Sequence, residues 1–171
     1  MGHVPDMSPL SLTWLVAVLA FAIDQISKYG IVFGLDLIHV RVIEVAPPFL
    51  TFIMGWNTGI NFGLFGGSGA FGRWLLVGIA LAAAAYLTHL ARKSDGWFLP
   101  IAFGLIIGGA LGNALDRVIF GAVMDFLNMS CCGIRNPYTF NIADIFIFAG
   151  VFGVVGHSFW DERQRKRGLR E

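Results

Sequence analysis

The feature that most constrains this chain is a set of four apolar runs, at about residues 8–29, 71–90, 97–115 and 143–160. Each approaches the roughly 20 residues a helix needs to cross a hydrocarbon core of about 30 Å. Inside lipid every backbone N–H and C=O must find its partner within the spanning segment, so runs of this length are read as helices. The composition agrees, with 56% hydrophobic and 13% charged residues where a soluble domain averages roughly 45–50% apolar. The expected fold is a membrane α-helical protein: a four-transmembrane-helix bundle forming one domain over residues 1–171.

Four crossings put both termini on one side. The tail after Trp160 carries Arg163, Arg165, Lys166, Arg167 and Arg170, and the short loop between the second and third runs carries Arg92 and Lys93. The two opposite loops, roughly 30–72 and 116–142, hold only Arg41, Arg73, Arg117 and Arg135. Basic residues collect on the cytoplasmic side, so both termini are expected there and the long loops outside. Leu10 to Leu19 followed by Ala20-Phe21-Ala22 has the look of a signal peptide, but a basic leading region is missing, and a retained first span is the better reading.

The first outer loop changes period. Ile38, Val40 and Val42 alternate with His39 and Arg41, and Ala46-Pro47-Pro48 separates this run from Phe49 to Trp56. Such alternation predicts a small antiparallel sheet within about residues 30–70, followed by a Gly-rich tether at Gly66 to Gly69. The second outer loop contains Asn136-Pro137, a turn signal that stops a helix before the fourth span. In the third run Gly104, Gly108 and Gly112 form a stripe of missing side chains, which suits close helix packing.

Several function classes drop out. The net charge is +1 without a basic stripe, so nucleic acid is not an expected partner. His3, His39, His89 and His157 are scattered without ligand spacing, and no metal or other cofactor is inferred. Cys131 and Cys132 are adjacent, a spacing that rarely meets disulfide geometry, and read as small apolar loop residues.

The informative residues are polar ones at the outer ends of the spans: Asp24, Asn113, Asp116, Arg117, Asp125, Asn141 and Asp144. An ionisable group inside a span costs on the order of 2.5–3.5 kcal/mol, so each needs a partner. Asp24 and Lys28 stand four apart on one helix face, acid first, as a favourable ion pair. Asn113 and Arg117 also share a face, with Asp116 able to hold the guanidinium or cap the helix end. Arg117 alternatively snorkels to the interface. Asn141 and Asp144 alone read as an N-cap with its N3 partner. A second acid, Asp125, at the same membrane level in an otherwise apolar segment makes a carboxylate dyad possible. Two such groups resist simultaneous ionisation, so one acid and one base coexist around a water, as peptide hydrolysis needs.

At these residues the chain resembles the lipoprotein signal peptidases, or signal peptidase II. The matching segments, in order, are D-Q-I-S-K at Asp24 to Lys28, N-T-G-I-N-F-G at Asn57 to Gly63, and G-G-A-L-G-N-A-L-D-R at Gly108 to Arg117. V-M-D-F at Val123 to Phe126 and F-N-I-A-D at Phe140 to Asp144 complete the set. The resemblance implies a four-helix bundle in the bacterial inner membrane, with a small extracytoplasmic sheet, a periplasmic loop or helix, and the active site at the periplasmic face. It further implies a metal-free aspartic endopeptidase whose catalytic pair is Asp125 and Asp144. The implied substrate is a prolipoprotein already carrying diacylglyceryl on a cysteine, cut immediately before that cysteine. Asn57, Asn113, Arg117 and Asn141 would line the substrate site, with Asp24, Lys28, Gly59 and Asp116 in support. Membrane lipid and cyclic peptides of the globomycin type would be ligands, and the protein is expected to act as a monomer. Ile60-Asn61 depart from the two alanines common in that family.

Two other readings stand beside it. In a small ion-coupled carrier, Asp24, Asp116, Asp125 and Asp144 would form a proton or cation path; a path needs acids at several depths, whereas these cluster near one face. A non-catalytic scaffold or lipid-binding protein leaves the paired acids unexplained.

Overall fold

The computed structural model describes residues 7–59, 69–133 and 136–168. Helix α1 runs over Pro9–Lys28, with Ser8 accepting from the Ser11 amide at 3.1 Å and a proline in the first turn, where its missing N–H costs nothing. It widens into π-helical turns at Tyr29–Gly34, so the first span covers Pro9–Gly34. A short helix α2 (Leu37–Val40) leads to strands β1 (Val42–Ala46) and β2 (Leu50–Asn57), then helices α3 (Gly69–Ala91) and α4 (Phe98–Phe120), strand β3 (Val123–Met129) and helix α5 (Ile142–Lys166). Among the described residues four helices are long and apolar enough to cross a membrane, each with a mean hydropathy of 1.7 or 1.8 over its most apolar stretch.

Helix α4 is the centre of the bundle, and α1, α3 and α5 pack around it. Its small residues make this possible. A Cβ on Gly108 would strike the Ala17 carbonyl of α1, and one on Gly109 would come 2.5 Å from the Ala143 carbonyl of α5. The expected glycine stripe is therefore the α1–α4 contact, with Gly104 against Thr13 and Val16 and Gly112 against the Asp24 side chain.

The sheet differs from its sequence expectation in two respects. Of the alternating run Ile38 to Val42 only Val42 lies in a strand: Leu37–Val40 is a helical turn, bracketed by positive φ at Asp36 (58°) and Arg41 (67°). The turn buries Leu37 completely, together with Val32, Met54, Met124 and Phe126; alternation over so few residues also fits this one-sided burial. The sheet also extends beyond residues 30–70. Its order is β1-β2-β3, all antiparallel, and the third strand comes from the second long loop. β3 is buried along almost its whole length, with Phe126 edge-on to Phe52 at 5.9 Å between ring centres. The third and fourth spans reach further than expected, to Phe120 and Lys166. The tether at Gly66 to Gly69 lies mostly outside the described residues. Among the described residues between β3 and Asn141 there is no helix, and the short helix of this side is α2.

Candidate active site

β3 determines where the site lies. Gly121 (φ 81°) ends α4 and turns the chain back, and β3 then pairs with β2 so that Gly55 stands opposite Asp125 and Asn57 opposite Val123. This register brings Asp125 beneath Asn57 and beside the start of α5. The Asp125 side chain is 3% exposed. Its Oδ1 accepts from Asn141 Nδ2 at 2.6 Å and its Oδ2 from Asn57 Nδ2 at 3.0 Å.

Asp144 arrives from the first turn of α5. Asn141 caps that helix by accepting from the Asp144 amide at 3.0 Å, while Asp144 Oδ2 accepts from the Asn141 amide at 3.1 Å, a reciprocal capping box. The cap expected from sequence is therefore present, and so is the second acid. The two share a site because the cap residue faces both ways, its backbone toward Asp144 and its side-chain amide toward Asp125. Asn113 closes the ring: its Nδ2 donates to Asp144 Oδ1 at 3.0 Å and its Oδ1 accepts from Asn141 Nδ2 at 3.1 Å.

Burial, and next the charge of Asp144, push the Asp125 carboxyl from its ordinary 3.8 up to about 6, against hydrogen bonds from Asn57 and Asn141 and the charge of Lys28. Asp125 thus keeps its proton closer to neutrality than an ordinary carboxyl does. Asp144 stands at a helix N-terminus, where the backbone dipole favours negative charge.

Beneath the pair lies a buried ionic floor. Lys28 Nζ is 2.8 Å from both Asp24 Oδ2 and Asp116 Oδ2, with all three side chains fully buried, and it donates to Asn113 Oδ1 at 3.0 Å. The remaining lone pairs are taken up: the Ala143 amide donates to Asp24 at 2.9 Å and the Met124 amide to Asp116 at 3.2 Å. This floor ties α1, α4, α5 and β3 together beneath the pair. Asp116 neither holds the Arg117 guanidinium nor caps α4, the two roles its sequence position suggested; Lys28 claims it. Gln25, passed over in the sequence, bridges Asp24 and Asp116 at 3.1 and 3.2 Å. Its position between an acid and a lysine on the same helix was the available signal.

Arg117 is left with little to hold. Nη1 donates to the Asn113 carbonyl at 3.2 Å, and Nε is buried without a hydrogen-bond partner among the described residues. Its strongest charge partners are Asp125 and then Asp144. Gly59 (φ 83°) approaches so closely that a Cβ there would sit 3.1 Å from Arg117 Nη2 and run into Leu76; its amide donates to Asn57 Oδ1 at 2.8 Å. Asn57 is thereby oriented with its amide nitrogen toward Asp125. An apolar cavity of about 490 Å³ lined by Phe140, Ile145, Phe148 and Ala149 opens beside Asp144. Among the described residues no cluster of three His, Cys, Asp or Glu is placed to hold a metal ion. Cys131 and Cys132 are free and exposed.

A family model described as signal peptidase (SPase) II matches residues 16–160. The chain is 43% identical over 161 residues to a lipoprotein signal peptidase of Methylobacterium radiotolerans, covering 94% of this chain and 93% of that protein. To a protein of the same name from Methylorubrum extorquens it is 46% identical over 142 residues, 82% of each chain. A solved structure described as a bacterial membrane enzyme, determined by the in meso method, matches with a TM-score of 0.71 and 28% identity over 88% of both chains.

Proposed function

Because the chain belongs to the signal peptidase II family, we propose that it removes signal peptides from prolipoproteins by aspartic catalysis, with Asp125 and Asp144 as the pair. The observation that carries this reading is the convergence of two carboxylates from separate elements on one asparagine, Asn141, with the charge of Asp144 helping to raise Asp125 to about 6.

In the proposed reaction Asp144 takes a proton from a water as its oxygen attacks the scissile carbonyl, and Asp125 donates its own toward the carbonyl oxygen. The tetrahedral intermediate collapses with cleavage of the C–N bond. The proton held by Asp144 goes to the leaving amine, and the carboxyl of the new terminus returns one to Asp125. The guanidinium of Arg117, a planar fork of donors of which only Nη1 is engaged, by the Asn113 carbonyl, is suited to a peptide carbonyl near the pair. The substrate is one bearing diacylglyceryl on the cysteine that follows the scissile bond. Its acyl chains would stay in the bilayer against the apolar cavity beside Asp144. Anchoring contributes several kcal/mol if it fixes a near-attack geometry. The site would face the periplasm, both termini the cytoplasm, and the protein would work as a monomer in the inner membrane. Cyclic peptides of the globomycin type would compete at this site.

The carrier reading loses ground on geometry. Asp24 and Asp116 are bound to Lys28, and all four acids belong to one end of the bundle, so no path of acids leads through it. The test is single-turnover cleavage of a lipid-modified prolipoprotein by the folded Asp125→Asn and Asp144→Asn variants in detergent. Each should lose at least about a hundredfold, and the double variant little more, because the two act as one unit. Substantial cleavage by either single variant rules out the dyad.

A further inference from the structure

At the opposite end of the bundle from the carboxylates lies a second cavity with no part in this chemistry. α1 and α3 both lean on α4 and touch each other little. Where they diverge, a trough of about 490 Å³ opens. One wall is a helical stripe of α3, Leu81, Ala84, Ala85, Thr88 and His89, continued by Arg92 just past the helix end, with Trp14 of α1 and Leu111 of α4 opposite. The trough exists because α3 has alanines where larger residues would close it.

The trough is apolar along its length and cationic at one end. From Leu81 to Arg92 is eleven residues, about 16 Å of helix, which matches half of a hydrocarbon core of about 30 Å. It therefore spans one leaflet. Arg92 and His89 are exposed at the helix end, where lipid headgroups lie, and Lys93 follows immediately. Neither Arg92 nor Lys93 has an ion-pair partner among the described residues, and none is found for the His89 ring. The Thr88 hydroxyl is already bonded to the Ala84 carbonyl at 2.7 Å, so the free donors are His89 and Arg92. Trp14, 40% exposed, walls the side.

We infer that this trough is a binding site for an anionic glycerophospholipid of the leaflet opposite the carboxylate pair, one acyl chain lying along Ala84 and Ala85 and the phosphodiester held by Arg92 and His89. A basic pocket between spanning helices has the features that select such headgroups, and a guanidinium binds phosphate oxygens bidentately. The selection is for net charge. A choline or ethanolamine headgroup would bring its own cation against Arg92 and Lys93, whereas a glycerol headgroup does not.

The test is native mass spectrometry of the full chain released from a neutral detergent after incubation with equimolar phosphatidylglycerol and phosphatidylcholine. The wild type should retain phosphatidylglycerol several-fold in excess. Arg92→Gln with His89→Gln should reduce that excess about fivefold or more, since each cation near a membrane surface is worth about that factor. Ala85→Phe, which fills the trough and keeps both cations, should reduce retained phosphatidylglycerol to a similar degree. An unchanged thermal midpoint in lipid-free detergent certifies the fold of each variant, and should the charge variant fail that criterion, Ala85→Phe alone decides. Equal retention of the two lipids by the wild type, or a preference unaltered in a folded variant, overturns the proposal.

Discussion

Asp125 is the residue whose environment says most about how the proposed reaction depends on pH. Its carboxyl titrates near 6, raised by burial and then by Asp144. The sign follows from the role. If Asp125 must carry a proton, the free enzyme is competent below that value and loses competence above it, so kcat/KM should fall about tenfold per unit beyond pH 6. Asn57 donates to the ionised form at 3.0 Å and so restrains the rise. Asn57→Ala should move the basic limb of the profile to higher pH, whatever it does to its height. A limb that stays in place would mean that Asp125 is not the titrating group. Arg117 gives a second prediction at this scale. Its Nε has no partner among the described residues and its Nη1 holds only the Asn113 carbonyl, so the fork is incompletely used, and Arg117→Lys should keep the fold and cost about a hundredfold in turnover. Full turnover of the Lys variant would reduce Arg117 to an interfacial anchor. Most of these residues could be picked out in the sequence, because polar groups are rare in so apolar a chain. Partners within one helix were legible too, as with Asp24 and Lys28 or Asn141 and Asp144, but partners across helices were not: Asp116 sits beside Arg117 in sequence but bonds to Lys28, which comes from another helix.

Between elements, the joint that matters is α1 against α4. The close approach at Gly108 and Gly112 is what allows Lys28 of α1 to reach Asp116 and Asn113 of α4. A buried ion pair adds little net stability over an apolar pair, but removing one partner strands the others. Lys28→Met would leave two fully buried carboxylates facing each other, and should lower stability by about 3–5 kcal/mol, read as a fall in the thermal midpoint in detergent. Lys28→Met with Asp24→Asn and Asp116→Asn should recover much of that loss. A single variant as stable as the wild type would show that the floor is solvated. The glycine spacing made this contact legible in the sequence, since three missing side chains in one row serve packing and little else. The sheet was less legible. The Pro-Pro turn and the strand after it could be read, but the alternation before the turn fell largely on a helical turn, and β3 is buried along its length and so carries no alternation to read.

For the molecule as a whole, the architecture followed from the lengths of the apolar runs, while the direction in which they cross rests on where the basic residues fall. Bonding in the bundle is the same whichever way it is inserted; the asymmetry is electrostatic. Arg92 and Lys93 at one end of α3, and Arg163, Arg165, Lys166 and Arg167 at the end of α5, lie on the side away from Asp125, Asp144 and the sheet. In the proposed orientation the positive-inside bias would put the sheet and the carboxylates outside, where an exported prolipoprotein would present its signal peptide. Cys131 and Cys132 are exposed on the sheet side and unbonded, and no hydrogen bond of the site involves them, so replacing both with Ser should leave cleavage within about twofold, a surface change away from structural features being usually small. That variant supplies the background for the topological test. A single cysteine at Ser94, in the loop between α3 and α4, should resist a membrane-impermeant thiol reagent in intact cells and react once the membrane is opened, while restoring Cys131 alone should give labelling in intact cells. Labelling of Ser94→Cys before permeabilisation would reverse the orientation and put the carboxylate pair on the cytoplasmic side, out of reach of an exported prolipoprotein.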